Sequence, residues 1–169
     1  QTFSIDFGDT TRFQQPSASS AVLNRVVTTN PSDISGTLWS NGRVFLINPN
    51  GIVFGGTAVV DVAGLVASSL NISDADFTNG ILRFQDGLCA RAVVNNGNIS
   101  TANHTGGQVY LIGPAVTNGG VITSPQGEVV LAAGNSVEIT SAGTPGLSAL
   151  VEAPANQAVN MGQVFAESG

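Results

Sequence analysis

One six-residue pattern occurs three times in this chain: Gly42-Arg43-Val44-Phe45-Leu46-Ile47, Gly107-Gln108-Val109-Tyr110-Leu111-Ile112 and Gly127-Glu128-Val129-Val130-Leu131-Ala132. The last two copies start 20 residues apart and the first two 65 apart, close to three such periods. A second pattern interleaves with it. Asn95-Asn96-Gly97-Asn98-Ile99-Ser100 returns 23 residues later as Asn118-Gly119-Gly120-Val121-Ile122-Thr123. Short strands and small-residue turns recurring at such a period are the mark of a solenoid. Alternate residues of a strand point to opposite faces, so Val44, Leu46, Val109, Leu111, Val129 and Leu131 are expected inside. Phe45, Tyr110 and Val130 then face outward or lie beneath a covering element.

A leucine-rich repeat would need an L-x-x-L-x-L frame and a helical arc after it, and neither is present. No dozen-residue segment holds a helical period free of Gly. The expected fold is therefore all-β: a parallel β-helix with coils of about 20–23 residues stacked about 4.8 Å apart. Seven or so coils would fit the 169 residues, taken as a single domain over 1–169. Solenoid ends expose unpaired strand edges, and residues 1–19, with a turn at Gly8-Asp9, are the natural N-terminal cap. Both ends of the chain cut through a strand-like pattern, as in a piece of a larger protein.

Within that frame, Asn48-Pro49-Asn50-Gly51 separates the apolar runs Val44–Ile47 and Ile52–Phe54. Pro, Asn and Gly in that order suit a type I turn followed by a left-handed residue. Such a turn closes a local hairpin or forms one corner of a coil. The repeat favours the corner, with Ile52 filling the core.

Composition narrows the function. Charged residues are 9% of the chain, against an ordinary level of about 25%. There is no Lys, the five Arg are scattered at 12, 25, 43, 83 and 91, and the formal net charge is −6. Nucleic acid and anionic membrane surfaces are poor partners for such a chain. No run approaches the roughly 20 apolar residues of a membrane-spanning helix; Ala58–Leu70 is interrupted by Asp61, Gly64, Ser68 and Ser69. Cys89 is alone, so no internal disulfide forms, and it is expected to act as a small, partly buried hydrophobe. His104 with one distant Cys cannot supply the three or four ligands of a zinc site, and is expected in an exposed turn. Asp74 and Asp76 lack the Gly and distal Glu of a calcium loop and read as residues that cap and solvate a loop. Asn24 and Arg25 read as a turn Asn and a solvated Arg. No G-x-S-x-G elbow places a nucleophile, and a polysaccharide-cleaving β-helix would need clustered carboxylates or basic residues that are missing. No cofactor or metal is expected. A glycan-binding module using Trp39 or Tyr110 is the other alternative.

Three stretches, Ser20-Ala21-Val22-Leu23-Asn24-Arg25-Val26, then Gly42 to Ile52 with its NPNGI, then GLVASSLNISDADF over 64–77, carry a resemblance. From Gln1 to about Ile139 the chain resembles the secretion domain of two-partner secretion exoproteins, the filamentous-haemagglutinin or haemagglutination activity domain. The resemblance implies a right-handed parallel β-helix at the amino end of a large Gram-negative exoprotein. It implies recognition in the periplasm by the POTRA domains of a dedicated TpsB-type outer-membrane transporter, with folding seeded outside the cell. The product would be a secreted or cell-surface protein, commonly an adhesin, meeting host-cell glycans or proteins through the full-length chain. Asn48, Pro49, Asn50, Gly51 and Ile52 would belong to the export signal, with Asn24 and Arg25 on the same surface, in a non-catalytic monomer. Some members carry an NPNL motif upstream; here that region reads FQQPSASSAVLNRV. The family domain usually begins some tens of residues earlier, so part of the cap is expected to precede Gln1.

Overall fold

The computed structural model describes residues 2–85, 90–104, 107–141, 147–152 and 157–166. The chain winds through three faces per turn. The first coil is built from β1 (Thr10–Phe13), β2 (Ala21–Arg25) and β3 (Ser32–Ile34), the second from β4 (Thr37–Ile47) and β5 (Ile52–Phe54). The third begins with β6 (Val59–Ser68), leaves the helix for β7 (Asn71–Ile72), α1 (Asp74–Thr78) and β8 (Leu82–Gln85), and returns with β9 (Val93–Asn95). The fourth is β10 (Asn98–Ser100), β11 (Gln108–Gly113) and β12 (Ala115–Asn118). The fifth runs β13 (Val121–Thr123) and β14 (Glu128–Ala133), leaves again for β15 (Ser136–Ser141) and β16 (Leu147–Glu152), and closes with β17 (Gln157–Asn160). β18 (Gln163–Phe165) opens the next turn on top of β13.

Among the described residues, the strands of the three faces pair in parallel from coil to coil. On one face β1, the first half of β4, the first half of β6, β10, β13 and β18 stack in that order. On the second face β2, the rest of β4, the rest of β6, β11 and β14 stack. On the third, β3, β5, β9, β12 and β17 follow one another. β4 is long because it runs through the bend between two faces, where the register shifts between Ser40 and Arg43. This is the parallel β-helix expected from the repeat. Past β1, where no excursion intervenes, partners on successive coils lie 20 to 23 residues apart, from Val109 to Val129 at the short end and Asn98 to Val121 at the long end.

The coil count differs from expectation. The register Arg43↔Gly64 and Val109↔Leu65 puts only two coil steps between the first two hexamers, not three. The extra residues belong to the excursion through β7, α1 and β8, and a second excursion stretches the fifth coil. The described residues therefore make about five turns rather than seven.

Two apolar cores result, one on each side of the second face. Val44, Leu46, Val109 and Leu111 point inward with Leu38, Val60, Ile99 and Ile122, and Val129 and Leu131 pack against them. The intervening residues do not meet water. Phe45, Val66, Tyr110 and Ile112 lie under Ile72, Phe84, Val137 and Ile139. The cover is a four-stranded antiparallel sheet in the order β16-β15-β8-β7, assembled from both excursions. Covering an aromatic or branched side chain stabilises by about 1.5–3 kcal/mol each, which keeps both excursions docked. Phe77 of α1 meets Phe45 edge-on at 5.1 Å. α1 starts where Ser73 Oγ accepts the Asp76 amide at 3.0 Å, and its two first-turn carboxylates favour the helix N-terminus.

Tyr110 is 1% exposed, and its hydroxyl donates to Glu128 at 2.9 Å. Burial, then the bond to Glu128, pushes its ionisation above the usual value of 10. Because the folded state holds this proton more tightly than the unfolded chain, the stabilisation is complete below about pH 10 and lost as pH rises beyond it. Tyr110→Phe is expected to cost about 1 kcal/mol at neutral pH and to flatten the alkaline fall in Tm, measured by melts from pH 7 to 11.

Candidate functional site

The Asn48–Ile52 stretch joins the second face to the third, between β4 and β5. These two strands do not pair with each other; β5 lies between β3 and β9. The turn is thus a coil corner, not a hairpin. Gly51 N donates to Asn48 O at 3.0 Å, and Gly51 has φ +101°. A Cβ there would also crowd the Ala92 carbonyl at 3.2 Å, so only glycine takes this conformation without strain.

Asn48 is fully buried, and its carboxamide ties two coils together. Its Nδ2 donates to Asn30 O and to Ser32 Oγ, both at 3.0 Å. Its Oδ1 accepts from Asn50 N at 3.0 Å and from Asn50 Nδ2 at 3.2 Å. Asn50 Nδ2 reaches the first coil again at Thr28 O, 2.6 Å away. Backbone bonds fix the corner to the third coil: Asn48 N to Ser68 O at 3.0 Å, Arg91 N to Pro49 O at 3.0 Å and Ile52 N to Ala92 O at 3.2 Å. Ile52 is buried in the inner core. The motif is a three-coil stitch, with both polar atoms of the buried Asn48 carboxamide bonded inside the fold.

Asn24 and Arg25 lie one coil below, on β2. Asn24 aligns with Leu46, on the inward side, and is half-buried. Arg25 is not the solvated residue expected. Its Nη1 meets Asp74 Oδ1 at 2.7 Å and its Nη2 donates to the Ile72 carbonyl at 2.6 Å. The covering excursion passes directly over β2 and captures the guanidinium. Arg25→Ala is expected to cost about 1 kcal/mol, mostly from the bond to the Ile72 carbonyl, because Asp74 is 81% exposed and the ion pair is screened. Asp74→Ala should cost less than half as much in the same urea titration.

Asp76 faces Arg83 at 3.7 Å, and Arg83 Nε in turn donates to Glu138 Oε2 at 3.2 Å across the β8–β15 pair. Among the described residues no group of three or more metal-ligating side chains converges. His104 departs from the exposed turn expected of it: its side chain is 16% exposed, 3.7 Å from Asp61 Oδ1, while Asn103 Nδ2 donates to Asp61 Oδ2 at 2.9 Å. Tyr110 lies under the covering sheet, so it is no surface contact for a glycan, and Trp39 carries the Arg12 guanidinium 3.9 Å from its ring centroid. Cys89 lies outside the described residues.

Sequence reasoning found the corner but missed the residues that hold it. Thr28, Asn30 and Ser32 sit 16 to 22 positions earlier. Their only local signal is the polar run Thr28-Thr29-Asn30-Pro31-Ser32, one coil before NPNG.

The comparisons agree with one another. The chain superimposes on the crystal structure of the HMW1 secretion domain from Haemophilus influenzae with a TM-score of 0.90 and 38% identity, covering 99% of this chain and 45% of that one. It is 34% identical over 148 residues to a heme/hemopexin-binding protein of Haemophilus influenzae, covering 82% of this chain and 16% of the relative. A second heme/hemopexin-binding protein from that organism is 32% identical over 97 residues, 57% of this chain and 10% of the relative. The chain thus spans about a sixth or less of the curated relatives it matches. The TPS secretion domain model matches residues 1–167. That family is non-enzymatic, and its exoproteins are secreted from Gram-negative bacteria. This chain belongs to it: it is the TPS secretion domain of a two-partner secretion exoprotein.

Proposed function

We propose that this chain is the amino-terminal signal and folding seed of a large exoprotein, captured in the periplasm by the POTRA domains of a TpsB-type transporter. The observation that carries the mode of capture is the closed state of the Asn48 carboxamide. Both of its polar atoms are bonded within the fold and the residue has no exposure. A partner reading Asn48 must meet the chain before the corner closes. Strand addition to a POTRA sheet edge suits an extended chain, because main-chain bonds give affinity and alternate side chains give register. Asn48–Ile52 then has two successive roles: contact for the transporter while extended, and coil corner once outside.

The whole of 1–169 acts as the unit, with residues 1–19, which include β1 of the first coil, closing its amino end. Ile5 bridging Ile34, and Phe3 stacked on Phe13 at 6.3 Å against the inner core, support that assignment. The exported product is a secreted or surface-held adhesin, with haem or hemopexin capture the variant suggested by the names of two relatives.

The test has two arms. Release of the domain, with its native upstream segment, is compared in cells with and without the transporter. Binding of isolated POTRA domains is then compared for chain held in urea and chain refolded. Transporter-dependent release with tighter binding of the unfolded chain is the expected result. Tighter binding of the refolded chain would overturn strand addition and leave the signal on the folded surface.

A further inference from the structure

In a solenoid each coil touches only its neighbours, so stability propagates step by step. This chain departs from that rule through its excursions, and a strand pairing does so between the third and fifth coils. β8, from the excursion of the third coil, pairs antiparallel with β15, from the excursion of the fifth: Leu82↔Ile139, Arg83↔Glu138, Phe84↔Val137 and Gln85↔Ser136. The pairing passes over the fourth coil, whose Tyr110 and Ile112 are buried beneath it. Phe84 and Val137 are fully buried, and the Arg83–Glu138 pair spans the same two strands at 3.2 Å.

We infer that this pairing is a latch that couples the third coil to the fifth and converts coils two to five into one cooperative unit. The two halves of the covering sheet are held differently. β7 and α1 are anchored to coils already laid down, through Arg25 of the first and Phe45 of the second. β15 arrives only after β14 has stacked on β11. Until then the outer side of the second face carries Phe45, Val66, Tyr110 and Ile112 with half a cover, and β8 has one unpaired edge. Closure satisfies both together. The domain commits to its fold only when residues through Ile139 are in place, so the seed for the rod is the latched unit rather than the first coils.

Native-state hydrogen exchange of the full chain across a urea series reads this directly. Amides of β8 and β15 are expected to exchange through the same opening, with the same urea dependence, as those of β6, β11 and β14. The perturbing variant is Val137→Thr, which keeps the shape and places a hydroxyl under the covering sheet. Protection is expected to fall on the order of tenfold or more in all five strands by one common factor. Loss confined to β7, β8, β15 and β16, with β6 and β11 unchanged, would show a passive cover and overturn the latch. So would wild-type exchange of β8 and β15 at lower urea dependence than the helix beneath them. A third result, no change in any strand, would equally remove Val137 as a coupling residue and with it the inference.

Discussion

Gly120→Ala is expected to lower Tm by about 6–12 °C, a loss of roughly 3 kcal/mol at the scaling of a chain this size. A Cβ at Gly120 would overlap the carbonyl oxygen of Gly97 and stand 2.7 Å from the Asn96 carbonyl carbon. Both obstacles are backbone of the coil below, so no side chain can rotate away. Relief requires the coils to part, which breaks Val121 N to Gly97 O at 2.9 Å and Gly120 N to Asn95 O at 3.1 Å. The adjacent Asn95–Asn118–Asn160 ladder, with amide bonds of 2.8 and 2.7 Å, would be pulled out of line as well. Gly162 meets the Gly120 carbonyl in the same way one coil further on. Gly56 is the control: its nearest neighbour would be the Asn96 carbonyl oxygen at 4.0 Å, and Gly56→Ala should change stability by less than about 0.5 kcal/mol. Equal melting curves for the two variants would mean that the corner does not set the coil spacing.

What the sequence made legible was whatever repeats. The inward set of the three hexamers is read from alternation alone, and Val44, Leu46, Val109 and Leu111 occupy the inner core accordingly. Alternation leaves the outward set two outcomes, and the covering sheet selects one of them for Phe45, Tyr110 and Val130. That sheet itself was not legible. Its strands are two to six residues long, and the pair that joins its two halves, β8 with β15, bridges excursions some 50 positions apart, so the sequence does not mark them off from strands of a coil. Counting them as coil residues turned two coil steps into three. Arg25 and His104 differ from the sequence expectation for a related reason. Arg25 finds Asp74 49 positions along the chain, in the excursion that covers β2, and His104 meets Asp61 where the fourth coil stacks on the third.

The NPNG corner joins both cases, since its shape is local and its strength is not. Asn48→Ala is expected to cost about 2–4 kcal/mol, and Asn50→Ala about 1–2 kcal/mol, in chemical denaturation. Removing the Asn48 carboxamide leaves the Asn50 amide without its acceptor and Ser32 Oγ, fully buried, without its donor. Unmade buried bonds cost more than made ones contribute, which sets the larger figure. Asn50 is half-buried, and water can replace part of its bond to Thr28. Asn48→Asp separates polarity from charge. It keeps an acceptor for Asn50 but turns a second carboxylate oxygen toward the Asn30 carbonyl, in a site with no solvent. Burial then favours the neutral acid, so the folded variant holds its proton more tightly than the unfolded chain. By linkage its stability is highest below the unfolded value near 4 and falls as pH rises above it. Its Tm should therefore drop between pH 4 and 7 while that of Asn48→Ala drops no more than wild type. Should N48D match wild type at pH 7, the carboxamide would not be holding the two coils together. The corner would then owe its strength to Gly51 and the backbone alone.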